Sequence, residues 1–350
     1  MKKNVLVLVF SNLKHDARVS RQVSFLAKHF QVSLVCFDTD EMENVTPIRI
    51  KQTNLSVVRK ALLSAFLLLR FHAIAYRLLH DYKQTLEKTL SEKSFDLIVA
   101  NDIDTLPLAF HFKRTATTKI IFDAHEYAPR HFEDKLAWRI FFQPLYLHLC
   151  TKLIPKVDAM LTVGKGLADE YEKHFNVRPI IITNAARFHA IEPSPIQEGR
   201  IRLIHHGIAN PSRRLELMIE MMTYLDQRFT LDLMLMTSNY ASAQTRTYIE
   251  NLKTNAEKDP RIKILPSVPS KEVVKTINQY DMGVFLLPPI NFNYANTLPN
   301  KLFDFIQGRL AIAVGPTPEM ASIVNQYKNG VVSTEFTAKS LADKLNSISH

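Results

Sequence analysis

Three ionisable residues stand together in the segment DAHEY, where Asp123, His125 and Glu126 adjoin the apolar run KIIF. Ionisable groups are costly to bury unless they are paired or have a function. One interpretation is therefore catalytic, with His125 bonding a substrate hydroxyl while Asp123 or Glu126 orients it or assists proton transfer. The other interpretation is a structural aspartate–histidine pair whose members satisfy each other.

Two more polar segments follow apolar runs in the first half of the sequence. The segment SNLKHDAR precedes a helical pattern, and Asp102 follows the run LIVA. Ligands of open α/β sheets bind beyond the carboxyl ends of the strands, so both segments are candidates, and we expect Asp102 to lie beside DAHEY. Asp16 either faces a ligand or serves only as a helix N-cap. The candidates in SNLKHDAR are Asn12, His15, Asp16 and Arg18.

A glycine and two arginines follow an apolar run in the second half of the sequence. Gly207 comes after IRLIHH, and we predict that Arg213 and Arg214 open the next helix. A glycine lets a ligand approach the backbone, and paired arginines can clamp a diphosphate. The alternative is that both arginines are solvated residues of the first helical turn.

The segment NTLPNKLFD predicts a helix whose start receives a phosphate. Pro299 suits the first turn of a helix, whose free N–H groups and positive end attract an anion, and Lys301 adds a cation. One turn further on, Asp304 has a carboxylate that can accept both hydroxyls of a ribose, although a lone aspartate on a helix is usually only solvated. The other candidates in this segment are Asn296, Leu298 and Asn300.

Parallel strands must position these segments. Short β-branched runs alternate with helical patterns, which predicts parallel strands joined by crossover helices. A stretch with two prolines and a glycine interrupts the alternation at 186–200. We therefore predict an α/β fold of two Rossmann-like, doubly wound domains, 1–185 and 201–350, joined by a linker at 186–200. The predicted strands are 5–9, 32–37, 97–100, 120–123, 160–163, 180–183, 201–206, 231–236, 262–265, 282–287, 311–314 and 331–333.

The composition is that of a globular protein with an anionic partner. Apolar residues make up 46% of the 350 residues and charged residues 22%, so each domain can bury a core. A net charge of +10 favours a nucleotide phosphate, an anionic lipid or a nucleic acid, but no arginine-rich stripe with stacking aromatics supports the last. Cys36 and Cys150 are far apart, which excludes a disulfide framework and a zinc cluster and fits a reducing cytoplasm.

The region from residue 55 to residue 90 is both basic and apolar. It has six Lys/Arg against two acids, interleaved with Leu, Phe and Tyr at helical spacing. Two interpretations stay open, a domain-packing helix with a basic edge and a peripheral contact with an anionic membrane. The most apolar stretch, 61–69, is too short for a spanning helix, which requires about 20 residues. We expect a soluble cytoplasmic protein; under the membrane interpretation, the contact is with the inner face of the cell membrane.

The order and spacing of DARV, DAHEY, HHG with its two arginines, and LPNKLFDFIQG resemble glycosyltransferase family 4 over nearly the whole chain. The resemblance implies a GT-B fold, in which the second domain holds a nucleotide-sugar donor and the first domain an acceptor across a cleft. It also implies that His125 contacts the donor sugar, that Asp304 holds the ribose, and that the backbone at Val268 meets the base. The family's arginine and lysine for the diphosphate correspond to Ile208 and Arg214, and Arg213 can substitute for the missing arginine.

The resemblance implies a hexosyltransferase that moves a sugar to a glycan or lipid-linked acceptor with retention, in bacterial surface polysaccharide synthesis. The leaving diphosphate gains negative charge, and we expect the helix start at Asn300, Lys301 and the two arginines to stabilise it without a metal or cofactor. Asn296 replaces an acid that is usual in the family. This leaves two alternatives open, a catalytically silent nucleotide-sugar-binding or assembly subunit and a sugar-nucleotide epimerase on the same fold.

Overall fold

The computed structural model describes residues 2–236 and 242–348, which form two compact units. The first unit is Met1–Thr183 with Asn291–Asn293, and the second is Asn184–Ile290 with Tyr294–His350. Each unit contains one β-sheet, and every pairing between named strands in the described residues is parallel. Between β-strands ending at Ile181 and starting at Ile201, the chain forms no helix and only the isolated bridge Gln197↔Arg200.

The first unit has seven strands in the order β3-β2-β1-β4-β5-β6-β7. The strands are β1 (Asn4–Leu8), β2 (Gln31–Cys36), β3 (Val45–Arg49), β4 (Leu97–Asn101), β5 (Lys119–Ala124), β6 (Ala159–Thr162) and β7 (Ile180–Ile181). The helices are α1 (Ala17–His29), α2 (Val57–Leu68), α3 (His72–Leu79), α4 (Lys83–Leu90), α5 (Leu106–Phe112), α6 (Leu136–Phe141), α7 (Gln143–Leu153) and α8 (Lys165–Phe175).

The second unit has six strands in the order β10-β9-β8-β11-β12-β13. The strands are β8 (Ile201–Ile208), β9 (Phe229–Met236), β10 (Ile262–Pro266), β11 (Met282–Phe285), β12 (Ala311–Val314) and β13 (Gly330–Val332). The helices are α9 (Glu216–Met222), α10 (Ala243–Ala256), α11 (Val273–Ile277), α12 (Phe292–Ala295), whose first two residues are assigned to the first unit, α13 (Asn300–Gln307), α14 (Pro318–Tyr327) and α15 (Ala338–Asn346).

Both faces of each sheet are buried, as the near-continuous apolar runs require. In β1, Leu6 and Leu8 belong to one core cluster, whereas Val5 and Val7 belong to another. Alternate residues of a strand point to opposite faces, so helices cover the sheet on both sides. The second unit likewise has two clusters, and Leu203 and Ile204 of β8 are divided between them.

All twelve predicted strands are present, with ends that differ by at most two residues. The thirteenth strand, β3, was not predicted. It lies at the edge of the sheet, its residues are only partly buried, and it contains Pro47. A proline is tolerated at such an edge, but it removes the apolar pattern by which a buried strand is recognised. Within the described residues, no helix is long and apolar enough to cross a membrane.

A glycine in β11 determines how closely α13 packs against the second sheet. A Cβ atom at Gly283 would lie 2.2 Å from the ring of Phe305, which is fully buried. We therefore expect Gly283→Ala to lower the free energy of unfolding by about 1–3 kcal/mol, because the ring has to move. Urea unfolding of Gly283→Ala, Phe305→Leu and the double variant measures the coupling. Strictly additive effects of the two substitutions on the free energy of unfolding would show that the contact between residue 283 and the Phe305 ring does not cause the loss of stability.

Candidate functional site

The order of the strands reverses between β8 and β11 in the second unit, which is where ligands of open α/β sheets bind. Gly207 lies near the carboxyl end of β8 with a φ of 130°, a region that favours glycine. A Cβ atom at this position would lie 3.2 Å from Nζ of Lys301 and 3.6 Å from Nη1 of Arg213. Two basic side chains thus converge at Gly207, where they present positive charge to an anion.

His205, for which the sequence predicted no role although it belongs to the HHG motif, fixes the position of Lys301. The Lys301 side chain is 5% exposed, and its Nζ lies 3.1 Å from Nε2 of His205. Nδ1 of His205 lies 3.0 Å from the carbonyl oxygen of Val284 in β11, so Nδ1 carries the proton and Nε2 accepts from Lys301. Nζ also lies 3.8 Å from the ring centroid of Phe285. The two strands at which the strand order reverses, β8 and β11, therefore both hold the Lys301 side chain in position.

The electrostatics of this cluster favour a negatively charged ligand. Burial and the nearby guanidinium of Arg213 lower the pKa of Lys301 well below its usual value, and the carboxylate of Asp304 offsets only part of this. Burial and Lys301 also lower the pKa of His205 well below its usual value and that of His206 to about 3. Both histidines are therefore neutral at neutral pH. An anion beside Lys301 and Arg213 would raise the lysine pKa again.

The segment 296–304 supplies the lysine as the sequence predicted. Pro299 is the N-cap of α13, one residue earlier than predicted, and Asn300 is its first residue. Leu298 packs against the core of the second unit, and Asn296 lies just after α12. One turn into α13, Oδ2 of Asp304 lies 3.6 Å from Nε2 of the buried His206.

The prediction that Arg213 and Arg214 open a helix is wrong. Asn210 caps a short 3-10 helix, Pro211–Arg213, and Arg214 then takes the left-handed conformation, with a φ of 51°. This conformation interrupts a right-handed helix, so α9 begins only at Glu216. The turn separates the two guanidinium groups. Arg213 lies near Lys301, whereas Arg214 is exposed and forms an ion pair with Glu216.

Val268 follows β10, as the sequence predicted, and packs partly buried against the same core cluster as Leu302 of α13. The backbone at this position therefore stays close to the sheet edge that carries the other residues of the second unit. No contact in the described residues assigns a ligand to it.

In the first unit, a buried ion pair occupies the end of β5. Arg18 is 9% exposed and Asp123 is 1% exposed, and two guanidinium nitrogens of Arg18 donate to the two carboxylate oxygens, at 3.1 and 2.5 Å. Gln22 donates to the same carboxylate. Burial opposes ionisation of Asp123, yet its contacts with His125 and Arg18 outweigh burial and hold its pKa below the usual value. Asp123 is thus a positioned and compensated anion.

His125 lies between two carboxylates. Its Nδ1 is 3.4 Å from Oδ2 of Asp102, and its Nε2 is 3.8 Å from Oδ2 of Asp123. Asp102 also accepts the backbone N–H of His125, and β4 pairs with β5, so these segments are neighbours as predicted. Burial alone would lower the pKa of His125, but the two carboxylates raise it to about 9. At neutral pH, His125 is therefore an imidazolium.

A cavity of about 210 Å³ lies beside His125, and its polar lining includes His131 and Tyr146, which were not among the predicted candidates. His131 forms an ion pair with Glu126 at 2.9 Å, and Tyr146 donates to Asp104 at 3.1 Å. His131 follows DAHEY within the same loop, so proximity in sequence was a usable signal for it. Tyr146 comes from α7, and nothing in its sequence neighbourhood connects it to β5.

Some residues of the segment SNLKHDAR have structural roles, and one belongs to the candidate site. Asp16 caps α1 by accepting from the N–H of Val19, and Ser11 donates to the same carboxylate. Asn12 likewise caps a short 3-10 helix that ends at the exposed His15. In this segment, only Arg18 contacts the end of β5. The contacts of Asp16 agree with its interpretation as an N-cap.

Comparisons with solved structures agree with this architecture. The chain is similar to sucrose-phosphate synthase from Thermosynechococcus elongatus with a TM-score of 0.75 at 11% identity, over 99% of this chain and 89% of that chain. It is similar to Anabaena Alr3699/HepE in complex with UDP-glucose with a TM-score of 0.67 at 12% identity, over 99% and 89%. The chain has a GT-B fold. The predicted fold class is thereby confirmed.

A third structure of the same kind is α,α-trehalose-phosphate synthase (UDP-forming) from Burkholderia vietnamiensis, with a TM-score of 0.62 at 12% identity over 98% of this chain and 90% of that chain. These structural neighbours of the GT-B chain are glycosyltransferases. No family model and no curated protein sequence matches the chain.

The raised pKa of His125 gives a pH-dependent contribution to stability. Its pKa is about 9 in the folded state against 6.5 ordinarily, so the contribution is complete below pH 6.5 and is lost as the pH rises through 9. We expect the stability difference between the unmodified protein and His125→Gln to shrink over that range by at most about 3 kcal/mol. Urea unfolding at several pH values measures it, with the exposed His15→Gln as control. A difference that is constant with pH would contradict the assignment.

Proposed function

We propose that the protein is a nucleotide-sugar-dependent glycosyltransferase and that its second unit grips the donor diphosphate with Lys301 and Arg213. The observation that carries this proposal is the convergence of the two basic side chains on the space at Gly207, 3.2 and 3.6 Å from the position of a Cβ atom. A buried lysine next to an arginine weakens the ligand-free protein electrostatically. An anion bound beside the two cations would remove this repulsion, which accounts for the arrangement.

The chemistry of glycosyl transfer matches this arrangement. As the bond between the sugar and the diphosphate breaks, the leaving group gains negative charge, and preorganised cations stabilise that charge most strongly in a buried site. The free N–H groups at the start of α13 point to the same end of the sheet and add to the positive potential. Asp304, one turn further along α13, accepts the ribose hydroxyls in this proposal.

The first unit supplies the acceptor side in this proposal. The imidazolium of His125, also in the first unit, donates a hydrogen bond to a hydroxyl of the donor sugar in this proposal, while Asp102 and Asp123 keep it protonated at neutral pH. Asp123 is bound by Arg18 and Glu126 forms an ion pair with His131, so neither carboxylate is a free base. We propose transfer of a hexosyl group with retention, in which the leaving phosphate accepts the proton of the acceptor hydroxyl. The solved neighbours that include UDP and UDP-glucose support a nucleotide-sugar donor.

We propose a glycan or lipid-linked acceptor and a role in bacterial surface polysaccharide synthesis at the inner face of the cell membrane. The support is the sequence resemblance to glycosyltransferase family 4 together with the basic, apolar region of the first unit. A protein that only binds a nucleotide sugar is distinguished by its products, because it releases no nucleotide from the donor.

Nucleoside diphosphates should stabilise the unmodified protein in a thermal-shift panel, by about 2.7 kcal/mol when the ligand is at 100 times its Kd. Lys301→Met and Arg213→Met should lose this shift and reduce kcat/KM by about 100-fold to 1,000-fold. Without ligand, Lys301→Met removes a buried amine and its repulsion by Arg213 but leaves Nε2 of His205 without its donor, so the two effects oppose each other and the free energy of unfolding should change little.

Arg214→Met is the matched control for these variants, because Arg214 is already paired with Glu216 and should alter turnover far less. Equal losses in Arg213→Met and Arg214→Met would contradict the assignment of Arg213. A complete absence of stabilisation by any nucleoside diphosphate or nucleotide sugar would reject the proposed function.

Turnover should continue undiminished in excess chelator. The reason is that Lys301, Arg213 and the start of α13 provide the positive charge that a divalent metal provides in other transferases. The measurement is nucleotide release from the donor with and without chelator after prior dialysis. Activity that returns only on addition of a divalent metal would contradict this proposal.

A further inference from the structure

Three helices of the first unit expose large apolar side chains to solvent. α2 packs against both α3 and α6, and Arg70, in the turn after α2, donates to the carbonyl oxygen of Ile140 in α6 at 3.1 Å. The exposed fraction is 83% at Val57, 65% at Leu69 and 62% at Leu136. We call the exposed faces of α2, α3 and α6, with the α2–α3 turn, the apolar surface.

The pattern of α2 explains why this surface forms. The helix buries Leu63 and Leu67, which are one turn apart, in the core of the first unit. Its other faces carry Val57, Val58 and Leu62, all exposed, at positions where a helix surrounded by water normally has polar residues. Contiguous apolar exposure of this kind marks an interaction site.

The charge around the apolar surface is predominantly positive, and the acids that border it are few. Residues 51–80 contain five Lys/Arg and no Asp or Glu, and α6 with its N-cap adds Lys135 and Arg139. Lys60 and Arg77 are exposed on α2 and α3. Long basic side chains next to apolar ones suit a bilayer interface, where the apolar groups enter the acyl region and the cations meet anionic headgroups.

We propose that the apolar surface binds the face of an anionic lipid bilayer, with α2 and α6 lying in the interface. Charge complementarity selects this partner. A second copy of the chain would place the same basic residues opposite one another, because a two-fold interface joins the same patch on both subunits. The inference deepens the membrane location included in the proposed function and rests on it, but it is tested separately from the donor site, since binding to vesicles requires neither a nucleotide sugar nor Lys301.

The test is co-sedimentation of the full chain with vesicles of phosphatidylcholine alone and of phosphatidylcholine mixed with phosphatidylglycerol. We expect binding to the anionic vesicles that is at least about tenfold stronger and that weakens as salt is added. Equal binding to both kinds of vesicle, or no binding to either, would overturn the proposal.

Two double variants assign the binding to this surface. Val58→Asp with Leu69→Asp removes apolar contact, and Lys60→Glu with Arg77→Glu reverses the charge; each should reduce binding by about tenfold or more. All four positions are exposed, so the variants should keep their thermal unfolding transitions. The matched control is Ile196→Asp with Lys271→Glu in the second unit, where Ile196 is 77% exposed.

Unchanged binding in both surface variants, or an equal loss in the control, would overturn the proposal. Analytical ultracentrifugation distinguishes the competing occupant. Self-association of the unmodified chain that disappears in Val58→Asp with Leu69→Asp would assign the apolar surface to a second copy and would also overturn it.

Discussion

The buried amine of Lys301 is the constraint on which the second unit depends. A basic group that is 5% exposed is costly unless its surroundings compensate it, and here the compensation comes from a neutral histidine, an aromatic face and a more distant carboxylate. His205 can accept from the lysine only because β11 provides a carbonyl oxygen for its other nitrogen. The position of β11 beside β8 therefore determines the hydrogen bonding of the Lys301 side chain.

The packing of the core also determines the position of Lys301. Lys301 belongs to α13, whose buried Phe305 lies where a Cβ atom of Gly283 would be, so the helix approaches β11 closely. A helix held further away would carry its lysine away from His205 and Gly207. The glycine of β11 and the glycine of β8 thus serve one purpose, since each leaves room for a side chain from α13.

The two units handle buried charge differently. In the first unit, Asp123 is matched by Arg18 in a two-point ion pair, and His125 is protonated because two carboxylates hold it so. In the second unit, Arg213 and Lys301 repel each other. A compensated pair supports the fold, whereas a pair of cations that is only partly compensated favours the binding of an anion.

The sequence by itself determined the layers of the fold. Apolar runs that alternate with helical patterns indicated parallel strands buried on both faces, and structures only 11–12% identical share the fold because this alternation, more than particular residues, specifies it. The edge strand β3 escaped prediction since partial exposure and Pro47 remove the signal. DAHEY was locatable because ionisable residues directly after a strand are rare without a reason, and LPNK because a proline before a helical pattern marks a helix start.

Tertiary structure alone decided which side chains meet. The left-handed turn at Arg214 directs Arg213, not its neighbour, toward Lys301, and a local sequence does not reveal such a backbone conformation at a non-glycine residue. The contacts of His205 with Lys301 and of Arg18 with Asp123 span 96 and 105 positions. Periodicity indicates which face of a helix or strand is apolar, but packing determines what that face contacts. For the same reason, the tertiary structure was needed to show that apolar residues of α2 are exposed.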